Sequence, residues 1–283
     1  MRELFDFGRP SSTGERYFGR VFEGLIVFWV LLHCWTWAAY IPRIEAVVLP
    51  LGIANYVDVS VLFRPGAPQA VAAVVSLGLA LGLTRKWRWG YALALGGFHL
   101  LYASRYCLGE ISHGSNFVGI ALLGFAIATV AFDDSQHTTW RFAEGFALFI
   151  FGIGYTSAGI CKLIGTGIDW PSATHFALWV GERTIDVTSR DGVFVPTFLQ
   201  RIGLAYPWFG ALSLVFGLLA ELAGILIWFR RFRAPVLFAL FMMHIGIDLS
   251  LDILFIYNIM ILALLAFPWP ALIDRVLERR SAA

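Results

Sequence analysis

The chain has 283 residues, of which 59% are hydrophobic and only 14% are charged, with a net charge of +2. Soluble domains carry roughly 25% charged residues, so this composition excludes a water-soluble domain, and the small net charge gives no reason to expect a nucleic-acid partner. Three cysteines without a CxxC pair do not indicate a disulfide framework. We therefore predict an all-α, polytopic transmembrane bundle surrounded by membrane lipid.

Eight apolar segments follow one another along the chain, and a membrane-spanning helix needs about 20 mostly apolar residues. They cover residues 22–40, 67–83, 90–106, 117–132, 142–164, 204–229, 234–248 and 251–267. The last two nearly touch, so we expect a helical hairpin with a tight turn near Leu249 and Ser250. The prediction is one domain over residues 1–283 with about eight spans.

Basic residues set the expected orientation of these spans. Lys or Arg residues cluster in segments 1–20, 84–88, 230–233 and 275–280. With eight crossings, all four clusters fall on one side of the membrane, and the positive-inside rule makes that side cytoplasmic. We expect both termini there, with residues 1–20 as a cytoplasmic segment that lacks the features of a cleaved signal peptide.

The opposite side receives the longer connectors. They cover residues 41–66, 107–116 and 165–203. The first is apolar but interrupted by three prolines, which indicates an interfacial or re-entrant segment. The third is too long for an ordinary loop and rich in aromatic residues. We expect it to form short interfacial helices outside the cytoplasm.

Charged and imidazole side chains inside membrane spans are costly, and each needs a reason. The candidates are His33, His99, Arg105, Lys162, Glu221, His244, Asp248 and Asp252. For any single one, snorkelling towards the interface or a hydrogen bond between helices is an alternative to a functional role.

His244 and Asp248 are four residues apart, so they share one face of the seventh predicted span. A carboxylate one turn from an imidazole can fix its tautomer. Half of a metal site is the alternative, but no second pair of this kind faces it in the sequence, so we expect no metal.

Lys162 lies near the predicted outer end of the fifth span. One interpretation is an interfacial lysine that reaches lipid headgroups. The other is an amine in an apolar pocket, where desolvation favours the neutral form and allows it to act as a base.

The segment Tyr155-Thr-Ser-Ala-Gly-Ile-Cys-Lys162-Leu, with Trp170 shortly after it, resembles the membrane domain of the vitamin K-dependent gamma-glutamyl carboxylases. It is equally similar to their bacterial relatives, the HTTM (horizontally transferred transmembrane) proteins. The shared features are an aromatic residue, Ala-Gly, a lysine followed by leucine, and a later tryptophan. Weaker similarities are an Asp-x-x-His stretch that ends at His137 and a later helix with His244. The resemblance implies a bacterial inner-membrane protein.

The resemblance also implies a site for a reduced quinone of the vitamin K type. Lys162 matches the family's base, and His244 matches a histidine near the same pocket. His113 would match another histidine of the family. Tyr155 and Trp170 would be walls of the quinone pocket.

Two features depart from the carboxylases. The large outer domain that grips their protein substrate has no counterpart after the last predicted span, and Cys161 stands where they have a second lysine. Two classes of function therefore stay open. The first is a quinol-dependent carboxylase-like or oxygenase-like enzyme with Lys162 as the base and His244 and Asp248 as a proton relay. The second is a non-catalytic membrane protein that binds a partner protein or carries lipid or small solutes.

Overall fold

The computed structural model describes residues 4–43, 49, 51–107, 114–132 and 136–281. Every regular element within these ranges is helical. The α-helices are α1 Thr13–Tyr40, α2 Ala67–Leu83, α3 Gly90–Tyr106, α4 Gly114–Ala131, α5 Gln136–Thr166, α6 Ala173–Asp191, α7 Phe198–Ala205, α8 Pro207–Leu222, α9 Arg230–Leu251, α10 Ile256–Ala266 and α11 Trp269–Ser281. The predicted all-α class is confirmed.

Five helical segments of the described chain are long and apolar enough to cross a membrane. They are Thr13–Arg43, Gly114–Ala131, Thr138–Asp169, Pro207–Trp228 and Arg230–Leu251. A sixth arises only if α10 and α11 count together as one span. The described chain is therefore a helical membrane bundle with five or six candidate spans. The number eight stays a prediction, since α2 and α3 have only 17 residues each.

The expected turn at Leu249 and Ser250 lies inside a helix, so its predicted position was wrong. α9 continues to Leu251 and ends at Asp252, which adopts a left-handed conformation with φ of 56°. The Asp252 N–H donates to the Asp248 carbonyl at 2.9 Å. Asp tolerates this conformation better than most residues, whereas nothing in the preceding leucine-rich stretch stops a helix.

The connector 165–203 contains α6 and the start of α7, and their location at the outer membrane interface stays a prediction. The Ser172 side chain accepts a hydrogen bond from the His175 N–H at the start of α6, and Gly192 ends this helix with φ of 78°. Thr197 and Gln200 form a capping box at the start of α7. In the earlier connector, the structure describes three 3₁₀ turns, Ile41–Arg43, Gly52–Asn55 and Ser60–Phe63.

The chain forms two compact units. The first unit comprises Arg2–Ala147 and Pro268–Ala283, and the second unit comprises Leu148–Phe267. One of the boundaries lies inside the continuous helix α5, so no linker marks it in the sequence.

In the first unit, α1 packs against α2, α3, α4 and α11. The rings of Phe22 and Tyr91 each pack on Phe125, with centroid distances of 5.9 and 5.7 Å. Next to these rings, the buried carboxylate of Glu23 accepts hydrogen bonds from Tyr91 at 2.5 Å and from the Trp140 indole at 2.7 Å. Arg85 pairs with the same carboxylate at 2.7 Å. The core of this unit is therefore filled by aromatic rings around one fully bonded acid.

In the second unit, α9 packs against α8 and α10, and α6 packs against α8. The core cluster consists of Trp170, Phe176, Val180, Leu214, Leu218 and Leu251. Phe176 is held between two glycines, because a Cβ added at Gly203 or Gly210 would lie only 2.2 or 2.8 Å from its ring atoms. This packing fixes α6 against α7 and α8.

Candidate functional site

One face of α5 carries small and polar residues at helical spacing. These residues are Gly152, Tyr155, Thr156, Gly159 and Lys162. A Cβ added at Gly159 would lie 3.0 Å from the Leu222 side chain, and one added at Gly152 would lie 2.5 Å from the Trp228 indole nitrogen. Glycines at helix interfaces allow such close approach in membrane bundles. The glycines therefore bring this face of α5 against the end of α8.

The end of α8 is a helix break that α5 stabilises. After Leu222 the chain continues as the 3₁₀ turn Ala223–Trp228. The Ile225 N–H donates to Thr156 Oγ1 at 2.7 Å. Gly224 lies so close to α5 that an added Cβ would be 2.9 Å from the Tyr155 Cβ. Glu221 is thereby placed in the last turn of α8, beside α5.

Lys162 and Glu221 form a buried ion pair. The Lys162 Nζ donates to both Glu221 carboxylate oxygens at 2.5 Å. Glu221 is only 6% exposed, and about a quarter of the Lys162 side chain is exposed. The Nζ also lies 4.6 Å from the centre of the Trp170 ring, which adds a cation–π contact. The prediction of a neutral amine did not include this carboxylate, which stabilises the ammonium form.

Tyr155 and His244 form the second polar contact. The Tyr155 hydroxyl lies 2.8 Å from His244 Nε2, and the Phe255 ring packs edge-on to the imidazole with centroids 5.2 Å apart. His244 is 5% exposed. Its Nδ1 has no hydrogen-bond partner among the described residues. The imidazole thus has one nitrogen held by Tyr155 and a second, buried nitrogen whose hydrogen-bonding capacity is unsatisfied.

A cavity of about 430 Å³ lies within the second unit between α5, α6, α8 and α9. Its polar lining residues are Lys162, Glu221, His244, Ser213 and Ser250. The other walls are apolar or aromatic, with Trp170, Phe176 and Trp179 on one side. Ligand sites in proteins range from about 300 to 1,000 Å³ and combine apolar walls with a few convergent polar groups. This cavity has both properties.

The structure brings four of the predicted site residues together. Lys162, Trp170 and His244 line the cavity, and Tyr155 is bonded to His244. Asp248 does not belong to this group. The expected pairing of Asp248 with His244 is absent from the described contacts: Tyr155 contacts Nε2, and Nδ1 has no partner. The catalytic and binding roles of these residues stay predictions.

Three other residues that the sequence singled out do not belong to this group. His113 lies outside the described residues, and so does the side chain of His137. Asp252 pairs with Arg183, whose Nη2 lies 3.0 Å from the Asp252 carboxylate. This contact ties α6 to the end of α9.

Glu221 is the site residue whose role was missed. It was one of several polar candidates and had no partner assigned to it. The available signal was that it is the one charged residue in the candidate span Pro207–Trp228. A lone carboxylate in such a segment requires a cation from another helix, and Lys162 supplies it.

Within the described ranges, no group of three or more His, Cys, Asp or Glu side chains is arranged to hold a metal ion. Comparison of the chain with protein-family models, with curated proteins and with solved structures finds no match. The residues and geometry of the cavity therefore supply the basis for a functional proposal.

Proposed function

We propose that this chain is an integral membrane protein that binds a reduced quinone in the cavity of the second unit. The observation that carries the proposal is an ion pair, Lys162 and Glu221, beside an imidazole with an unpartnered Nδ1, all on the wall of an otherwise apolar cavity. A quinol has the same distribution of polarity, with hydroxyl groups on an apolar ring.

The polar groups can hold such a head without leaving a buried charge unpaired. An ammonium has three N–H donors. Two N–H groups of Lys162 donate to the Glu221 oxygens, and the third can donate to a ligand oxygen. His244 lines the cavity, and its buried Nδ1 would supply a second contact after a shift of the ring exposes it, as donor or acceptor according to the direction of the hydrogen bond with Tyr155. The apolar walls then cover the ring and the tail.

Proton transfer is the chemistry that this arrangement supports. Lys162 can accept a proton from a quinol hydroxyl only after it passes one of its own protons to Glu221. Glu221 would therefore be the proton acceptor that frees the amine. The ion pair is neutral after this internal transfer, and its charge of +1 after Lys162 takes the quinol proton is balanced by the negative charge of the quinolate. In this proposal the chain is a quinol-dependent carboxylase-like or oxygenase-like enzyme, with Lys162 as the base.

The proposal includes the family and topology that the sequence indicates. The motif around Lys162 supports a protein of the gamma-carboxylase-like or HTTM type. The distribution of Lys and Arg supports eight spans with both termini in the cytoplasm. The resemblance to the bacterial HTTM proteins supports an inner-membrane location.

A binding titration tests the proposal. The purified chain in detergent is titrated with menadione and, under argon, with menadiol, and the tryptophan fluorescence is recorded, to which Trp170 and Trp179 at the cavity wall contribute. We expect saturable quenching that weakens at least about tenfold in Lys162→Met/Glu221→Leu, because the contact from the Lys162 ammonium to the ligand is lost. The matched control is Lys86→Met, which removes the other lysine of the sequence. Unsaturable quenching of the wild type, or equal affinity in the double variant, would overturn the proposal.

A non-catalytic carrier or partner-binding subunit is the second candidate, and the ion pair itself favours it. The positive charge of Lys162 is already compensated by the Glu221 carboxylate, so Lys162 is not a free base. Quinol epoxidation by membranes with the wild type or Lys162→Ala separates the two candidates. A rate that depends on Lys162 supports the enzyme. Activity absent from both, together with phospholipid alone or a stoichiometric partner protein after gentle purification, supports the second candidate.

A further inference from the structure

The first unit carries a group of exposed cations that the proposed function does not use. They are Arg16, Arg20, Lys86, Arg88, Arg275, Arg279 and Arg280. These residues come from three separate pieces of the chain: the start of α1, the turn between α2 and α3, and α11. We call the surface that they form the basic end.

Specific contacts bring the three pieces to the same end of the unit. Arg85, in the turn between α2 and α3, pairs with Glu23 on α1 at 2.7 Å. The Gly14 N–H, in the first turn of α1, donates to the Asp274 carboxylate on α11 at 2.7 Å. An added Cβ at Gly14 would lie 2.1 Å from the Pro270 carbonyl oxygen, so α11 packs directly on α1. The cations therefore belong to one continuous surface.

α11 has the pattern of a helix at a membrane interface. Trp269, Leu272 and Val276 are 38%, 41% and 53% exposed and follow one another at helical spacing. Arg275 and Arg279 lie next to this apolar stripe, while Asp274 points towards α1. A helix with an apolar stripe beside basic residues binds at the boundary between headgroups and acyl chains, more strongly when the lipids are anionic.

The turn between α2 and α3 repeats this combination. Trp87 and Trp89 are 42% and 46% exposed and flank Arg88. Tryptophan is enriched at the level of the lipid headgroups. Two separate pieces of the basic end thus present indole rings next to cations.

In the described part of the chain, the acids near this surface are fewer than its cations: Glu278 is an exposed carboxylate on α11 itself, and the others are engaged in other contacts. Glu15 is bonded by Arg9 and Arg141, Glu23 is buried with its own donors, and Asp274 accepts from α1. The cations of α11 and Lys86 have no carboxylate partner among the described contacts. Guanidinium groups match the geometry of phosphate oxygens.

We propose that the basic end binds the headgroups of anionic phospholipids, with the apolar stripe of α11 inserted beside them. Arg275, Arg279 and Arg280 contact lipid phosphate, and the exposed tryptophans fix the depth of the surface in the headgroup region. This surface lies in the first unit, so the inference does not depend on the quinone proposal.

The test uses the full chain reconstituted in nanodiscs with equal amounts of phosphatidylglycerol and phosphatidylcholine. After the protein is released from the nanodiscs, native mass spectrometry counts the lipids that stay bound to it. We expect the wild type to retain phosphatidylglycerol in preference to phosphatidylcholine, and this preference to fall by about tenfold or more in Arg275→Gln/Arg279→Gln/Arg280→Gln. High salt should weaken the preference in the same direction.

A second triple variant, Arg64→Gln/Arg190→Gln/Arg201→Gln, removes the same charge from exposed positions outside the basic end and should keep the preference. Lys86→Gln/Arg88→Gln tests the turn without a change in α11 and should reduce the preference. A wild type without preference, or equal losses in the two triple variants, would overturn the inference.

Discussion

Among the described residues, each unit buries one carboxylate, but the two are satisfied in different ways. Glu23 of the first unit is 3% exposed and Glu221 of the second unit is 6% exposed. Glu23 is bonded by a guanidinium, a phenol and an indole. Glu221 is bonded by the flexible amine of Lys162 alone among the described contacts, and it borders a cavity.

The difference separates a structural acid from a candidate functional one. Three donors from separate parts of the first unit bond both carboxylate oxygens of Glu23, so the network stabilises the packing. The ion pair of Glu221 is enough to compensate the buried charge, but the space beside it is filled by no side chain. Burial alone therefore does not identify a functional residue, whereas burial next to a cavity does.

The largest expected effect is on Glu23. Glu23→Gln removes the charge that compensates Arg85 and should lower the free energy of unfolding by about 3 kcal/mol. This value is at the lower end of the range for a broken buried ion pair, because Arg85 is partly exposed. Thermal unfolding followed by size-exclusion chromatography measures the loss. Exposed Glu182→Gln is the control and should change stability by less than about 0.5 kcal/mol. Equal melting temperatures for the two variants would contradict the structural role of Glu23.

The ion pair of the second unit should behave differently when it is replaced as a whole. Lys162→Met leaves Glu221 buried without a cation and should cost about 2–3 kcal/mol, whereas Lys162→Met/Glu221→Leu should recover most of this loss. Menadiol binding should stay lost in both variants. A double variant that is no more stable than the single one would show that the pair, like Glu23, is needed for folding.

The wall of the cavity offers a smaller test. Gly203→Ala places a methyl group 2.2 Å from Phe176 and should cost about 1–3 kcal/mol through overpacking. Gly181→Ala on α6, where an added Cβ meets no atom within 4 Å, is the matched control and should be neutral or slightly stabilising. Thermal unfolding of both variants decides the point, and a destabilised control would argue against the packing of Phe176.

The smallest effect on stability is expected at Tyr155. Tyr155→Phe removes the hydroxyl that contacts His244 Nε2 and should cost about 1 kcal/mol. It should also weaken menadiol binding several-fold, because the imidazole loses the group that fixes its tautomer. Tyr56→Phe, at a residue that is 90% exposed, is the control. Unchanged menadiol affinity in Tyr155→Phe would remove the imidazole from the proposed binding site.

The sequence predicted those features of the fold that depend on local pattern. The bounds of α2 and α3 coincide with the predicted apolar segments 67–83 and 90–106, because glycine, proline and charged residues interrupt the apolar runs at those points. The helix break after Leu222 was not predicted, since the apolar run continues through residue 229. Its cause is Thr156 on another helix, which bonds the Ile225 N–H.

The site shows the same division between local and long-range information. Spacing suggested that Asp248 would hold His244, but Tyr155, 89 residues away in sequence, holds it instead. Lys162 was recognised from its motif, whereas Glu221 lies 59 residues further along the chain and could be paired with it only through the packing of α5 on α8. Helical spacing states which contacts are allowed, and tertiary packing selects among them.

Photolabelling tests most directly whether the cavity of the second unit is a quinone site. The purified chain is irradiated with an azido-naphthoquinone, and the labelled peptides are mapped by mass spectrometry. The account predicts labels on cavity residues such as Trp170 and Met243 that excess menadione suppresses and that Lys162→Met/Glu221→Leu largely abolishes. Labels confined to other surfaces, or cavity labels that menadione does not suppress, would contradict it.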